Sequence, residues 1–275
     1  MLILLLLSTN ALAQQRPQAD TMFLAPLDSI GFTKLFSSPP ISIKTDVLNN
    51  LYCLNETGQV LKFSEHGGIS TWNNVKRYGR PTLLDVSNPL RPLVYYQPYG
   101  IIILLDAKLS PLKSIDLRRS GFSSVKMVCT AHDNNIWIFD EQSMSLKLIS
   151  ETGAEILSSG DTRQAYNTAI SPTTITDVDG YVIISDREKG IFIFDHYGKL
   201  KDTMHIADAK NIYMSKQLLS GVSGKDYFSI DIKTKKLQRI PLPATLANSG
   251  IIGVFGSTIY LWDKGRINSY TVSSF

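Results

Sequence analysis

This 275-residue chain has few cysteines, a small net charge and few long apolar runs. Only Cys53 and Cys129 are present, which is too few for a small domain held together by disulfides. The 28 basic and 24 acidic residues nearly balance, and the one basic group, at Lys233, Lys235 and Lys236, fits a solvated turn. We therefore predict no nucleic-acid partner. No apolar run after the N-terminus approaches ~20 residues, so we expect no transmembrane segment.

The N-terminus carries the chain's longest apolar run, MLILLLLSTNALA, which ends in the small-x-small pattern Ala-Leu-Ala. This pattern is typical of a secretory signal peptide cleaved before Gln14, although no basic residue precedes the run. The alternative is a buried first strand. We predict a signal peptide over residues 1–13, a flexible N-terminus over 14–21 and a single domain over 22–275. The protein is then exported, and either periplasmic or extracellular.

The apolar runs after residue 41 are short, rich in β-branched and aromatic residues, and end in Gly, Asn, Asp or Pro. Because no window keeps a helical apolar period, these runs predict an all-β protein. Two sets of predicted strands recur with a period of about forty residues, as in a stack of four-stranded units. The first set is 51–54, 93–96, 136–139, 181–184, 218–221 and 259–262. The second set is 60–63, 101–105, 146–149, 191–194, 227–230 and 267–272.

Six such units bury both faces of their sheets when they are arranged radially. Apolar side chains of the middle strands, such as Tyr52, Trp137 and Phe194, supply that packing. We therefore predict a six-bladed β-propeller with four-stranded antiparallel blades. The two cysteines then pack as buried thiols, with one inter-blade disulfide as the alternative. Because the last unit lacks one strand, we expect part of residues 22–36 to supply it and to close the ring.

One unit carries a family resemblance. Residues 175–199 read ITDVDGYVIISDREKGIFIFDHYGK, in which an Asp-rich turn with Gly precedes two strands that each end in Asp. This stretch resembles the repeat of six-bladed NHL-like propellers, and residues 43–68 and 130–153 match it in part. The resemblance implies a ring whose face or channel mouth binds something, often a protein. Related families include calcium-dependent lactonases, sugar-processing enzymes and non-catalytic scaffolds, so the fold does not decide the function.

Three aspartates occupy equivalent places in the repeat. Asp46, Asp85 and Asp177 each end the first strand of a unit and are followed by Val. Because first strands converge on the channel of a propeller, these carboxylates are our candidate binding residues. Convergent carboxylates suit Ca²⁺, whereas the alternative is that each aspartate accepts hydrogen bonds within its own turn. We assign no cofactor from the sequence, but Ca²⁺ is the ion that such oxygens would suit.

The remaining polar residues form no recognisable catalytic motif. His66, His132, His196 and His205 fall in different units without metal-ligand spacing, so we assign no metal ligands and interpret them as surface residues. Ser223 lacks the glycine spacing of a nucleophile elbow. The sequence thus favours an exported, non-catalytic module that binds a protein partner in the cell envelope. The alternatives are a calcium-dependent hydrolase or lactonase, and glycan binding through aromatic residues such as Trp72, Tyr95 and Tyr99.

Overall fold

The structure is a computed structural model, and it contains six four-stranded antiparallel sheets. The six sheets confirm the predicted all-β propeller. The predicted signal peptide, the N-terminus over 14–21 and most of residues 22–36 lie outside the described residues. The structure describes residues 23–25, 38–64, 67–215, 217–243, 250–263 and 266–272.

Five of the six blades are built from four consecutive strands each. Blade 1 contains β2 (Pro40–Thr45), β3 (Leu51–Asn55), β4 (Val60–Phe63) and β5 (Ile69–Trp72). Blade 2 contains β6 (Leu83–Asp85), β7 (Leu93–Tyr96), β8 (Ile101–Leu105) and β9 (Pro111–Asp116). Blade 3 contains β10 (Val125–Thr130), β11 (Ile136–Asp140), β12 (Ser145–Ile149) and β13 (Glu155–Ser158). Blade 4 contains β14 (Pro172–Val178), β15 (Tyr181–Asp186), β16 (Gly190–Asp195) and β17 (Leu200–Met204). Blade 5 contains β18 (Ala209–Ser215), β19 (Leu218–Ser223), β20 (Asp226–Asp231) and β21 (Leu237–Pro241).

Blade 6 is built from both ends of the chain. Its strands are β22 (Gly250–Phe255), β23 (Thr258–Asp263), β24 (Arg266–Thr271) and, as the outermost strand, β1 (Phe23–Ala25). β1 runs antiparallel to β24, with Phe23 opposite Thr271. The prediction that an N-terminal strand closes the ring is confirmed, and this pairing ties the N-terminus to the last blade.

In the described parts of the chain, helical structure is confined to connections between strands. These are α1 (Val75–Tyr78), a 3-10 turn (Gln97–Tyr99) and α2 (Thr162–Tyr166). Among the described residues, no helix has the length and apolar character needed to cross a membrane.

The apolar core is divided among the seams between neighbouring blades. Every position of β3, β7 and β11 is buried, because these middle strands have a blade on each side. Each seam holds its own cluster of apolar side chains, for example Trp137 and Phe139 packed with Phe194 between blades 3 and 4. Burying one such side chain is worth about 1.5–3 kcal/mol, so this packing outweighs any surface ion pair.

Both cysteines belong to this packing. Cys53 and Cys129 are free and buried, which confirms buried thiols rather than an inter-blade disulfide. Burial raises the pKa of both thiols, and the carboxylates of Asp85 and Asp177 raise that of Cys129 further. Neither thiol has the low pKa of a catalytic cysteine.

The strand order places the candidate aspartates on one face of the ring. In an antiparallel four-stranded blade, the turns between strands 1 and 2 and between strands 3 and 4 emerge at the same end. Asp46, Asp85 and Asp177 all lie at this end. Contacts between neighbouring turns join the blades there, such as the 2.8 Å hydrogen bond from Asn88 Nδ2 to Asn134 Oδ1. We call this end the aspartate face.

Candidate functional site

Asp46 is held entirely by its own blade. Its Oδ1 accepts hydrogen bonds from the backbone N–H groups of Leu48 (2.9 Å) and Asn50 (3.0 Å). Its Oδ2 accepts from Asn50 Nδ2 (2.7 Å) and from the Tyr52 hydroxyl (3.0 Å). Burial, and then the adjacent carboxylate, raise the pKa of Tyr52 well above its usual range. Asp46 therefore performs the structural role in a turn that was the alternative to ligand binding.

Asp85 combines a local role with a contact to the next blade. Its Oδ1 accepts from the backbone N–H of Ser87 (3.0 Å), and its Oδ2 accepts from the Ser87 hydroxyl (3.1 Å). Oδ2 also accepts a 2.7 Å hydrogen bond from the backbone N–H of Thr130, at the end of β10 in blade 3. Desolvation by the surrounding protein lowers the pKa of Lys44 in β2, and the negative charge of Asp85 partly offsets that decrease. Asp85 thus contributes to the contact between blades 2 and 3.

Asp177 is held mainly by the preceding blade. Its side chain is only 1% exposed. The Oδ2 atom accepts hydrogen bonds from Trp137 Nε1 (2.9 Å) and from the backbone N–H of His132 (3.2 Å). Both donors belong to blade 3, so this carboxylate links blades 3 and 4.

Two histidines complete the surroundings of Asp177. His132 Nδ1 lies 3.4 Å from Asp177 Oδ2, and His196 Nε2 lies 3.4 Å from Asp177 Oδ1. The two imidazole rings are stacked, with centroids 3.9 Å apart and planes inclined by 8°. Asp177 Oδ1 and His196 Nε2 are both buried and form no hydrogen bond. We call His132, Asp177 and His196 the His–Asp site.

Tight turns position both histidines. His132 lies between β10 and β11, in a turn where Asp133 Oδ1 accepts from the backbone N–H of Asn135. His196 lies between β16 and β17, where Asp195 Oδ1 accepts from the backbone N–H groups of Tyr197 (3.0 Å) and Lys199 (2.9 Å). Such side-chain-to-backbone bonds fix the turn conformation. Sequence spacing did not reveal this grouping, because the histidines are brought together by the contact between two blades.

The His–Asp site has the donors of a metal site. Its three ligand atoms lie within 4.8 Å of one another. Within the described parts of the chain, it is the one group of three His, Cys, Asp or Glu residues with that geometry, and it does not include Asp46 or Asp85. Two imidazoles with one carboxylate match the ligands of Zn²⁺ and related transition metals, whereas Ca²⁺ takes six to eight oxygens.

A groove lies on the same face as the His–Asp site, in the next seam of the ring. Between blades 4 and 5, a cavity of about 580 Å³ is lined by charged residues of both signs and by apolar side chains. Among them, Asp179 lies two residues after Asp177, Lys201 lies at the start of β17, and Lys233 lies in the turn between β20 and β21. Lys235, in the turn predicted for the basic group, forms an ion pair with the lining residue Asp202. This groove has room for a small molecule or for a side chain of a partner protein.

Large apolar side chains are also exposed on the aspartate face. They lie in its turns or at the strand ends beside them. We define the exposed apolar set as Val47, Leu48, Leu90, Tyr197 and Leu218, of which Tyr197 is 80% and Val47 74% exposed. Ile69 and Leu237, the first residues of β5 and β21, are also exposed at this face.

The aromatic residues considered for glycan binding do not form a common platform. Tyr95 is buried, and its hydroxyl donates to the backbone carbonyl of Val125 at 2.8 Å. Trp72 is partly buried, and its Nε1 donates to the Tyr96 hydroxyl at 3.1 Å. Only Tyr99 of the three is exposed, and it lies on the opposite face. Tyr95 and Trp72 therefore serve the packing of the blades.

Comparison with known proteins identifies the fold. The sequence matches no protein-family model and no curated protein. Virginiamycin B lyase from Staphylococcus aureus is similar in structure at 12% identity, with a TM-score of 0.61 over 93% of this chain and 90% of the lyase chain. The Pan2 WD40 domain of Neurospora crassa is similar at 9% identity, with a TM-score of 0.60 over 87% of this chain and 90% of that domain.

PorZ of Porphyromonas gingivalis, a bacterial surface component of the type IX secretion system, is similar at 15% identity with a TM-score of 0.55. That match covers 88% of this chain but only 32% of PorZ. Likeness at these identities concerns the fold alone. The chain is a six-bladed β-propeller, as the resemblance to NHL-like repeats implied.

Proposed function

We propose that this protein is an exported, non-catalytic propeller that binds a protein partner in the cell envelope through its aspartate face. The observation that carries the proposal is the exposed apolar set on that face, Val47, Leu48, Leu90, Tyr197 and Leu218. Large apolar and aromatic side chains are enriched at the buried centres of protein interfaces, and exposed apolar patches mark interaction sites.

Two further features favour this reading. The groove between blades 4 and 5 adds lysines and aspartates to the same face as the exposed apolar residues, and interfaces combine apolar centres with polar rims. PorZ, which shares the fold, is described as an essential bacterial surface component of a secretion system. This analogy of fold supports a role outside the cytoplasm, as does the apolar N-terminal run.

Substitutions on the two faces test the proposal. Tyr197→Glu combined with Val47→Glu places charge on the aspartate face, and Tyr99→Glu does so on the opposite face. We expect envelope proteins captured by the wild-type protein to be lost with the double variant and retained with Tyr99→Glu, since all three positions are exposed. Equal capture by all forms, or no capture by the wild type, would refute the proposed interface.

Export has a separate test. Cell fractionation should place the protein outside the cytoplasm, and mass spectrometry should find a mature N-terminus at Gln14. An intact cytoplasmic chain that begins at Met1 would contradict export.

A second candidate is a metal-dependent propeller enzyme of the hydrolase or lactonase type. The His–Asp site favours it, because two histidines and a buried carboxylate lie on the same face as a groove large enough for a small molecule. The donor set differs from the oxygen-rich site of a calcium enzyme. Lactone or ester hydrolysis that requires metal and is lost in His196→Ala would favour this candidate over the binding module.

A further inference from the structure

We propose that His132, Asp177 and His196 bind a divalent transition-metal ion of the Zn²⁺ class across the seam between blades 3 and 4. The proposal concerns a site that no sequence motif marks, and it stands whether or not the aspartate face binds a protein.

The spacing of the donor atoms suits such an ion. Tetrahedral Zn²⁺ with ligands at about 2.0–2.2 Å places neighbouring ligand atoms roughly 3.3–3.5 Å apart. Both histidine nitrogens lie 3.4 Å from an oxygen of Asp177, and all three ligand atoms lie within 4.8 Å. The stacked rings therefore aim one nitrogen each at the same carboxylate. Small side-chain adjustments would bring all three donors onto one ion.

Two buried polar atoms of the site lack a hydrogen bond, and a cation would satisfy both of them. Asp177 Oδ1 and His196 Nε2 are buried without a hydrogen bond, an arrangement that costs free energy unless a ligand satisfies both atoms. Buried carboxylates are normally paired with a cation. In the described portion of the chain, Asp177 has no ion pair with a lysine or arginine, and its only charge partners are the two histidines. A bound metal ion would supply that charge.

The neighbours of Asp177 hold its carboxylate in one orientation, as the groups around metal ligands commonly do. Trp137 Nε1 and the backbone N–H of His132 both donate to Oδ2, which fixes the orientation of the carboxylate. Hydrogen bonds of this kind orient the ligands of metal sites. The Oδ1 atom is left to face His196. The fixed carboxylate thus presents a free oxygen to the ion.

The site also has access for an additional ligand. Three protein ligands leave at least one coordination position for water or for a donor from a bound molecule. The His132 side chain is 54% exposed, whereas Asp177 Oδ1 and His196 Nε2 are buried, so an ion and its additional ligand would approach from the side of His132. Imidazole donors select Zn²⁺ and similar transition metals over Ca²⁺ and Mg²⁺.

Calorimetry on metal-stripped protein tests the proposal, with ZnCl₂ and CaCl₂ as the two probes. We expect one equivalent of Zn²⁺ to bind and Ca²⁺ to give no comparable heat. His132→Ala and His196→Ala should each weaken Zn²⁺ binding by at least about 100-fold, because loss of an outer-shell group alone costs 10–100-fold. His205→Ala removes an exposed histidine outside the site and is the matched control, which should bind as tightly as the wild type.

Thermal unfolding of the same variants checks that each of them folds. Both site histidines lie in turns, so we expect their alanine variants to fold, and Zn²⁺ should raise the melting temperature of the wild type but not that of the double variant. Absence of Zn²⁺ binding by the wild type would overturn the proposal. So would one-equivalent binding of unchanged affinity by a folded His132→Ala, His196→Ala double variant, since the ion would then bind elsewhere.

Discussion

Asp46 of blade 1 and Asp177 of blade 4 share the local sequence Thr-Asp-Val at the end of an innermost strand, yet their surroundings differ. All four hydrogen bonds to Asp46 come from its own blade. The two shortest contacts to Asp177 come from blade 3, and its Oδ1 has no hydrogen-bond partner. The same sequence pattern therefore stabilises a turn in blade 1 and contributes to a site between blades 3 and 4.

The residues that follow each aspartate explain the difference. Four and six positions after Asp46, Asn50 and Tyr52 supply side-chain donors that occupy its Oδ2. When β3 is aligned with β15, the corresponding residues of blade 4 are Gly180 and Val182, and neither has a side chain that could donate to Asp177. The carboxylate of Asp177 is therefore left for the neighbouring blade, which provides Trp137 and His132, and for His196 of its own blade. Whether such an aspartate is available for a ligand depends on these donors more than on the aspartate itself.

The largest expected effect on stability is that of Asp46→Ala. The change leaves two backbone N–H groups, the Asn50 amide and the Tyr52 hydroxyl without their acceptor, and both side chains are buried. We expect the free energy of unfolding to fall by about 3–5 kcal/mol, measured by urea denaturation. Zn²⁺ binding should persist in the folded fraction, because Asp46 lies outside the His–Asp site.

Asp133→Ala is the control for that experiment. Asp133 also accepts from a backbone N–H and a side-chain amide, both of Asn135, but in an exposed turn of blade 3. Water replaces the lost acceptor there, so we expect a cost below about 1 kcal/mol. Similar losses for Asp46→Ala and Asp133→Ala would contradict the importance of burial.

Asp177→Ala should cost less than Asp46→Ala, about 1–2 kcal/mol. It removes the acceptor of Trp137 Nε1 and of the His132 backbone N–H, but it also removes a buried carboxylate oxygen that lacks a partner. Functional sites commonly sacrifice stability in this way. Urea denaturation without metal measures the difference, and a loss as large as that of Asp46→Ala would argue for a purely structural role.

A double-mutant cycle sharpens this second prediction. Asp177→Ala and Trp137→Phe share one hydrogen bond across the seam, so their effects should couple by about 0.5–3 kcal/mol. Asp46→Ala and Trp137→Phe share no hydrogen bond among those described and should be additive within about 0.5 kcal/mol. Additivity in both cycles would mean that the contact between Asp177 and Trp137 contributes little.

The fold could be predicted from the sequence because its determinants recur in every unit. Short apolar runs such as 136–139 and 191–194 correspond to β11 and β16 within a residue or two, since middle strands are buried on both faces and read as continuous apolar segments. The closing strand was predictable for a similar reason, because a repeat that lacks one strand at its end needs a partner from elsewhere. Both inferences depend only on the local pattern of apolar residues and on the number of strands in each unit.

The His–Asp site could be predicted only in part. Its position at the end of an innermost strand makes Asp177 a candidate, and a structural role in its own turn is one of the two alternatives that the sequence offers for Asp46. His132 and His196 were interpreted as surface residues because the spacing of metal ligands in sequence was the only available criterion. They meet through the seam between blades 3 and 4, where the 3.9 Å ring stacking depends on how two sheets pack. The repeat alignment was the one available signal, since it places both histidines in turns on the same face.

The smallest expected effect is at Glu151, which also links two blades but is more exposed than Asp177. It lies in the turn between β12 and β13 of blade 3 and pairs with Arg91 and Lys113 of blade 2. The hydrogen bond from Arg91 is the main cause that lowers the pKa of Glu151 below its usual value of 4.5. Since the folded state holds this group at a lower pKa than the unfolded state, its stabilisation is complete at neutral pH and is lost as the pH falls below about 4.5.

Glu151→Gln should lower the free energy of unfolding by less than about 1 kcal/mol at pH 7. Urea melts in acid and at high salt should show a smaller difference from wild type. A loss as large as that of Asp177→Ala, or one that is unchanged in acid, would contradict this account. Burial would then not explain why the contact of Asp177 with the neighbouring blade contributes more to stability than that of Glu151.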